Sequence, residues 1–222
     1  MATYRTIDGK KLRADKNNRT EYTYVADIAE GLLDGYKGKT ILEIGCGDDL
    51  VSWDHSPNLG REAKRRGAIV YGLDPRLKKY EGKGICSVWG NNSEDRIDLK
   101  EFEKRTGVIP VIGNIEDIID LFKKNQFDAI VSKSVIGQPT YGLNWDIEFK
   151  KLFDVTRAGG FQVHYKYAQE DFEFNKAGLE RIGFQVLNYF DEDEALRRRE
   201  SCLPDTLFYW RSSLILKKPD KK

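Results

Sequence analysis

The residues best suited to chemistry lie in one short run, Ile41-Leu-Glu-Ile-Gly-Cys-Gly-Asp48. An apolar segment delivers Glu43 and then Gly45 and Gly47, with Cys46 as a small side chain between them. Glycines in such a turn let the backbone approach a ligand, because a Cβ would block the contact and because many such turns need positive φ. A glycine pair alone is weak evidence, and its context adds to it. Glu43 stands two residues before the first glycine, and a second apolar run, Val70-Tyr-Gly-Leu-Asp74, also ends in an acid. The two histidines are the side chains that titrate nearest neutrality. His55, beside Trp53 and Asp54, is the first candidate for a general base, set against the plain reading of an exposed loop histidine. His164 lies in Phe161-Gln-Val-His-Tyr-Lys-Tyr167, where alternation puts Gln162, His164 and Lys166 on one face. A hydrogen-bonded structural histidine is the default there, and a catalytic role is the alternative.

These residues need elements to hold them. Tyr24, Ile28 and Leu32 are spaced four apart, with Thr20 as N-cap, and predict a helix that ends near Gly35. Short apolar runs then alternate with amphipathic stretches. Strands are expected at 40–44, 68–73, 108–112, 127–131, 161–167, 184–190 and 207–216. Helices are expected at 58–66, 99–105, 115–124, 147–156 and 172–182, the fourth closed by Gly159-Gly160. The stretch through Trp89 and Asn92 reads as irregular. Strands alternating with helices imply parallel pairing, since a parallel crossover needs a connection of helical length. The fold class is therefore α/β: a doubly wound, mostly parallel seven-stranded sheet with helices on both faces and an antiparallel C-terminal edge. Residues 1–36 form an N-terminal arm and helix, a lid over the site, and 37–222 the main domain.

Composition narrows the function classes. Lys and Arg number 37 against 36 Asp and Glu, so net charge gives no long-range steering toward a polyanion, which argues against nucleic acid. The first twenty residues do carry Arg5, Lys10, Lys11, Arg13, Lys16 and Arg19 against Asp8 and Asp15; most such runs are solvated arms. Arg197-Arg-Arg199 could meet a phosphate, yet Asp191, Glu192, Asp193, Glu194 and Glu200 offer nearer partners. Cys46, Cys86 and Cys202 make no zinc spacing, and no metal site is expected. No stretch approaches the roughly 20 apolar residues of a membrane span, and the polar N-terminus lacks a signal-peptide core; a cytoplasmic protein is expected.

The run ILEIGCG followed by an acid at the end of the second strand resembles the class I S-adenosylmethionine-dependent methyltransferases, Rossmann-like enzymes whose first motif reads acid-x-Gly-x-Gly. Gly113-Asn114-Ile115, Phe127-Asp-Ala-Ile-Val-Ser132, Arg157-Ala-Gly-Gly160 and Leu214-Ile-Leu-Lys-Lys-Pro219 resemble later landmarks of that family, in order. The resemblance implies that the cofactor is S-adenosylmethionine. It implies that Gly45, Cys46, Gly47 and Asp48 lie along the methionine and ribose, and that Glu43 orients the loop or meets the methionine ammonium through water. Asp74, with Pro75 after it, takes the ribose hydroxyls, since two acceptor oxygens suit a diol. Asn114 and Ile115 meet the adenine, and Ser132 ends the fourth strand beside the site. Lys133, Ser134 and Tyr141 follow that strand and line a methyl-transfer pocket; Trp53, Tyr141 and Trp145 offer a wall for a planar substrate, and Tyr22 and Tyr24 a cover, with core packing as the alternative use of such aromatics. Lys133, Tyr141, His55 and His164 are the catalytic candidates. The sequence departs from the family pattern at Asp49, where a third glycine is usual, and in the long segment Asp48–Leu59. Two carboxylates after Gly47 disfavour a pyrophosphate there, and with it a nicotinamide cofactor. After the fourth strand, Ser132-Lys-Ser-Val-Ile-Gly137 stands where amino-group methylases of bases carry (Asp/Asn)-Pro-Pro-aromatic. A small-molecule acceptor is the first expectation; an RNA or protein acceptor, or a noncatalytic cofactor-binding protein, are the alternatives.

Overall fold

The computed structural model describes residues 2–5, 11–14, 21–48, 58–82, 84–88, 93–133, 135–136, 142–165, 176–188 and 213–220. Strands β1 (Ala2–Arg5) and β2 (Lys11–Ala14) pair antiparallel within the segment expected to be an arm. Helix α1 (Glu21–Leu33) follows. The chain leaves it through Asp34 and Gly35, both at positive φ, with the Gly35 amide closing on the Glu30 carbonyl at 2.9 Å. Val25, Ala26, Ile28, Ala29, Leu32 and Leu33 are all buried in the main core, so α1 is a structural layer of the domain.

β3 (Thr40–Ile44), α2 (Asn58–Arg65) and β4 (Ile69–Leu73) come next, then a 3-10 segment at Pro75–Tyr80. An antiparallel hairpin, β5 (Gly84–Val88) with β6 (Ser93–Ile97), and helix α3 (Leu99–Thr106) intervene before β7 (Ile109–Val111). β5 and β6 fall in the stretch expected to be irregular, whose Trp89 and Asn92 lie outside the described residues, and with the 3-10 segment and α3 they add to the length between Asp74 and Asn114. A helix was expected over 115–124. The chain instead makes a 3-10 turn at Ile115–Asp117 and a short α4 (Ile118–Leu121), and turns extended at Phe122 (φ −131°, ψ 151°), which sends that ring into the core.

β8 (Phe127–Lys133), α5 (Trp145–Val155), β9 (Thr156–Tyr165), α6 (Lys176–Ile182), β10 (Gln185–Asn188) and β11 (Ser213–Lys217) complete the order. Gly159 and Gly160 do not close α5. They lie inside β9, where Phe127 pairs with Thr156 and Ala129 already with Phe161, so Arg157–Gly160 bulges out of the ladder. The bulge is held by Gly159 donating to the Lys218 carbonyl, and Lys218 to that of Gly160, each at 2.9 Å.

The seven-stranded sheet runs β10-β11-β9-β8-β3-β4-β7. Pairs among β9, β8, β3, β4 and β7 are parallel, and β11 is antiparallel to both β9 and β10. The fold class read from the sequence is thus the one observed, with a refinement: the antiparallel strand β11 lies one place in from the edge, and β10 is outermost. Alternation sorts side chains between the two faces. Ile41, Ala129, Val131, Val163 and Ile215 face α1 and α2, whereas Leu42, Ile44, Ile130, Leu214 and Leu216 face the layer of α4, α5 and α6. Strand order reverses between β3 and β8, which makes their carboxyl ends the crevice where ligands of open α/β sheets bind. No helix among the described residues is long and apolar enough to cross a membrane.

Candidate functional site

The loop leaving β3 is tied to the end of β4 by its backbone. Gly45 and Cys46 donate to the Leu73 carbonyl at 2.9 and 3.4 Å, and Gly47 donates to Asp74 Oδ2 at 2.9 Å. Gly45 and Gly47 sit at φ +67° and +85°, the left-handed region where a Cβ is strained. Space also demands glycine at Gly45, since a Cβ there would run into Val135 just after β8. The Cys46 thiol is buried over Gly72, and burial pushes its pKa well up. It fills space.

Asp74 is 2% exposed and fully engaged. Its Oδ1 accepts from the Arg76 amide at 2.9 Å and Arg76 Nε at 3.0 Å; its Oδ2 accepts from Gly47 and from Arg76 Nη2 at 2.8 Å. Burial pushes this carboxyl up, but the bonds from Arg76 and Gly47 and the Arg76 charge outweigh it and hold Asp74 below the usual carboxylate range. Asp48, in the loop, meets Lys79 Nζ at 2.9 Å and Arg76 Nη1 at 3.6 Å, and its carbonyl accepts from the Tyr80 hydroxyl. Arg76 was not foreseen; the signal for it was a cation two residues beyond the acid, within the first turn after β4.

Glu43 is equally buried, and its oxygens accept from the Leu59 and Gly60 amides at 3.3 and 2.8 Å. It caps α2, the helix that follows the loop. Burial raises its pKa to about 8, opposed by those two bonds and assisted by the Asp74 charge.

On the other face of the sheet a polar chain threads the core. Thr156 donates to the Leu152 carbonyl at 2.7 Å, Gln162 Nε2 to Thr156 Oγ1 at 2.9 Å, and Gln162 Oε1 lies 3.0 Å from His164 Nε2. His164 Nδ1 lies 2.9 Å from Ser132 Oγ. Because the Gln162 amide nitrogen is spent on Thr156, its oxygen must accept, so Nε2 carries the proton and Nδ1 accepts from Ser132. Burial takes His164 down to about 3, so the ring is neutral at physiological pH. It is held as a spacer behind Ser132, which suits a positioning residue better than a base.

Asn114 follows β7 and is exposed; Ile115 behind it is buried, and Asp117 accepts from the Asn114 amide at 3.0 Å. Val111, three residues earlier, takes the Asp74 amide at 3.2 Å, so the loops after β3, β4 and β7 form one rim. Pro75 is exposed on that rim, and Lys133 closes β8 half-buried. Trp145 is not a wall: it is 2% exposed, packed with Phe149 in the core. His55, Trp53, Asp49, Ser134, Tyr141 and Arg197–Arg199 lie outside the described residues, as do the side chains of Tyr22 and Tyr24.

No family model and no curated protein matches this sequence. Solved structures match it in shape. A candidate sarcosine dimethylglycine methyltransferase from Galdieria sulphuraria aligns over 92% of this chain and 87% of its own at 14% identity and a TM-score of 0.56. A TehB-like SAM-dependent methyltransferase from Corynebacterium glutamicum covers 92% and 90% at 19% identity and a TM-score of 0.50. The [4+2]-cyclase SpnF covers 89% and 81% at 13% identity and a TM-score of 0.53. At such identities the likeness is one of fold, and in fold the chain is a Rossmann-like α/β protein of the kind used by S-adenosylmethionine-dependent methyltransferases.

Proposed function

We propose that this chain binds S-adenosylmethionine on the rim formed after β3, β4 and β7 and transfers its methyl group to an oxygen or nitrogen of a small-molecule acceptor. The observation that carries this reading is the bond from the Gly47 amide to Asp74 Oδ2, which makes the glycine loop and the acid after β4 one unit. The residues fit the cofactor: two positive-φ glycines shape the loop without a Cβ in the way, and Asp74, bonded here to Gly47 and Arg76, carries the pair of acceptor oxygens that suits a ribose diol. Gly45, Cys46, Gly47 and Asp48 line the methionine and ribose, Pro75 flanks the ribose, and Asn114 and Ile115 take the adenine. Glu43 fixes the loop through α2, and Ser132 closes the site from β8.

When bound, the cofactor supplies a methyl group activated on a sulfonium. The chain's own work is alignment in line with that group and removal of a proton from an acceptor that carries one. His55, Lys133 and Tyr141 are the groups proposed for that task, while His164 orients Ser132. The near balance of charge favours a small acceptor over RNA.

One observation favours a second reading, a protein that uses the fold without methyl transfer: a similar structure is a cyclase. Incubation with methyl-labelled S-adenosylmethionine and fractionated cell extract separates the readings. Label in small molecules supports the proposal, label in RNA or protein replaces the acceptor class, and bound cofactor with no transfer supports the second reading.

A further inference from the structure

A carboxylate offers about four acceptor positions. At Asp74 all four are taken, two by the amides of Gly47 and Arg76 and two by the Arg76 guanidinium, through Nε and Nη2. The amide bonds build the turn and stay. A ribose diol that donates one hydroxyl to each carboxylate oxygen needs the two positions the guanidinium holds. Arg76 has somewhere to go: its side chain is 45% exposed, and Nη1 already lies 3.6 Å from Asp48 Oδ1 in the neighbouring loop.

On the reading that Asp74 receives the cofactor ribose, we infer that Arg76 sets the affinity for the cofactor by competing with it, its guanidinium leaving Asp74 for Asp48 when a diol arrives. The cofactor then binds at the cost of an ion pair. The pair also makes entry depend on a ligand that supplies two donors in its place, which a lone hydroxyl or an apolar group does not. A purely structural Arg76, there only to neutralise Asp74, has the opposite consequence: removing it leaves the carboxylate unsupported and weakens binding.

Calorimetric titration with S-adenosylhomocysteine, for wild type, Arg76→Ala, Arg76→Gln and Asp74→Ala, distinguishes these. Both Arg76 variants should bind more tightly, by roughly three- to tenfold for the loss of one half-exposed charge-assisted pair, and Asp74→Ala should lose binding. Unchanged or weaker binding in both Arg76 variants, with Asp74→Ala still deficient, overturns the competition and leaves the cofactor reading standing. No heat with any of the four, each shown folded by near-ultraviolet circular dichroism, overturns both. Agreement between Ala and Gln guards against a folding defect peculiar to one.

Discussion

Glu43 is a carboxyl group with no cation beside it among the described residues, held behind the glycine loop by the first amides of α2. Its raised pKa has a definite sign: protons bind more tightly in the folded chain than in the unfolded one, so the stabilisation is present below the usual carboxylate range and is lost as pH rises toward about 8. Glu43→Gln should remove this dependence. Melting temperatures across pH 5 to 8 should show wild type losing ground to the variant as pH rises; parallel curves would contradict the account. The acid and both glycines were legible in the sequence because they are local. That Glu43 serves α2 was not, since the amides it binds lie beyond a long insertion. Arg76 escaped for a related reason: residue type alone does not say which of two nearby acids, Asp48 or Asp74, an arginine will choose.

At the scale of elements, α2 approaches the sheet closely because Gly60 lacks a side chain. A Cβ there would stand 2.7 Å from Glu43 Oε2, 2.9 Å from Val70 and 3.0 Å from Val108. Gly60→Ala should therefore destabilise by about 1–3 kcal/mol, the usual cost of overpacking, measured by denaturant titration. Across the sheet, the chain from Thr156 to Ser132 makes a second pH prediction with the opposite sign. His164 is depressed to about 3, so its contribution is complete above its ordinary value near 6.5 and is lost as pH falls below it. His164→Asn should flatten the decline in stability between pH 6.5 and 4; an undiminished decline would show that another group is responsible. The core strands were readable from runs such as ILEI and FDAIV, buried on both faces. The hairpin of β5 and β6 was not, because Ser93-Glu-Asp-Arg-Ile97 has three charges and weak strand propensity, and only its partner makes it a strand. The helix expected over 115–124 failed at its end, where Phe122 gains more from the core than from continuing the helix.

For the whole molecule, the sheet order places the carboxyl ends of β3 and β8 at the switch point, with the β4 loop beside that of β3, and the balance of 37 basic against 36 acidic residues leaves no net charge to gather a polyanion. Bulk RNA should accordingly show no strong, steeply salt-dependent binding when anisotropy is followed from low to moderate salt; a steep slope would move the acceptor toward RNA. The fold itself does not select the reaction, so the claim with most depending on it is that Asp74 and the glycine loop form a cofactor site. Its most direct measurement is calorimetric titration of the purified protein with S-adenosylmethionine beside Asp74→Ala and Asp74→Asn. Wild type should bind one-to-one, and both variants should lose affinity by at least about tenfold with the fold retained. Equal affinity in all three, or no binding by folded wild type, would contradict it.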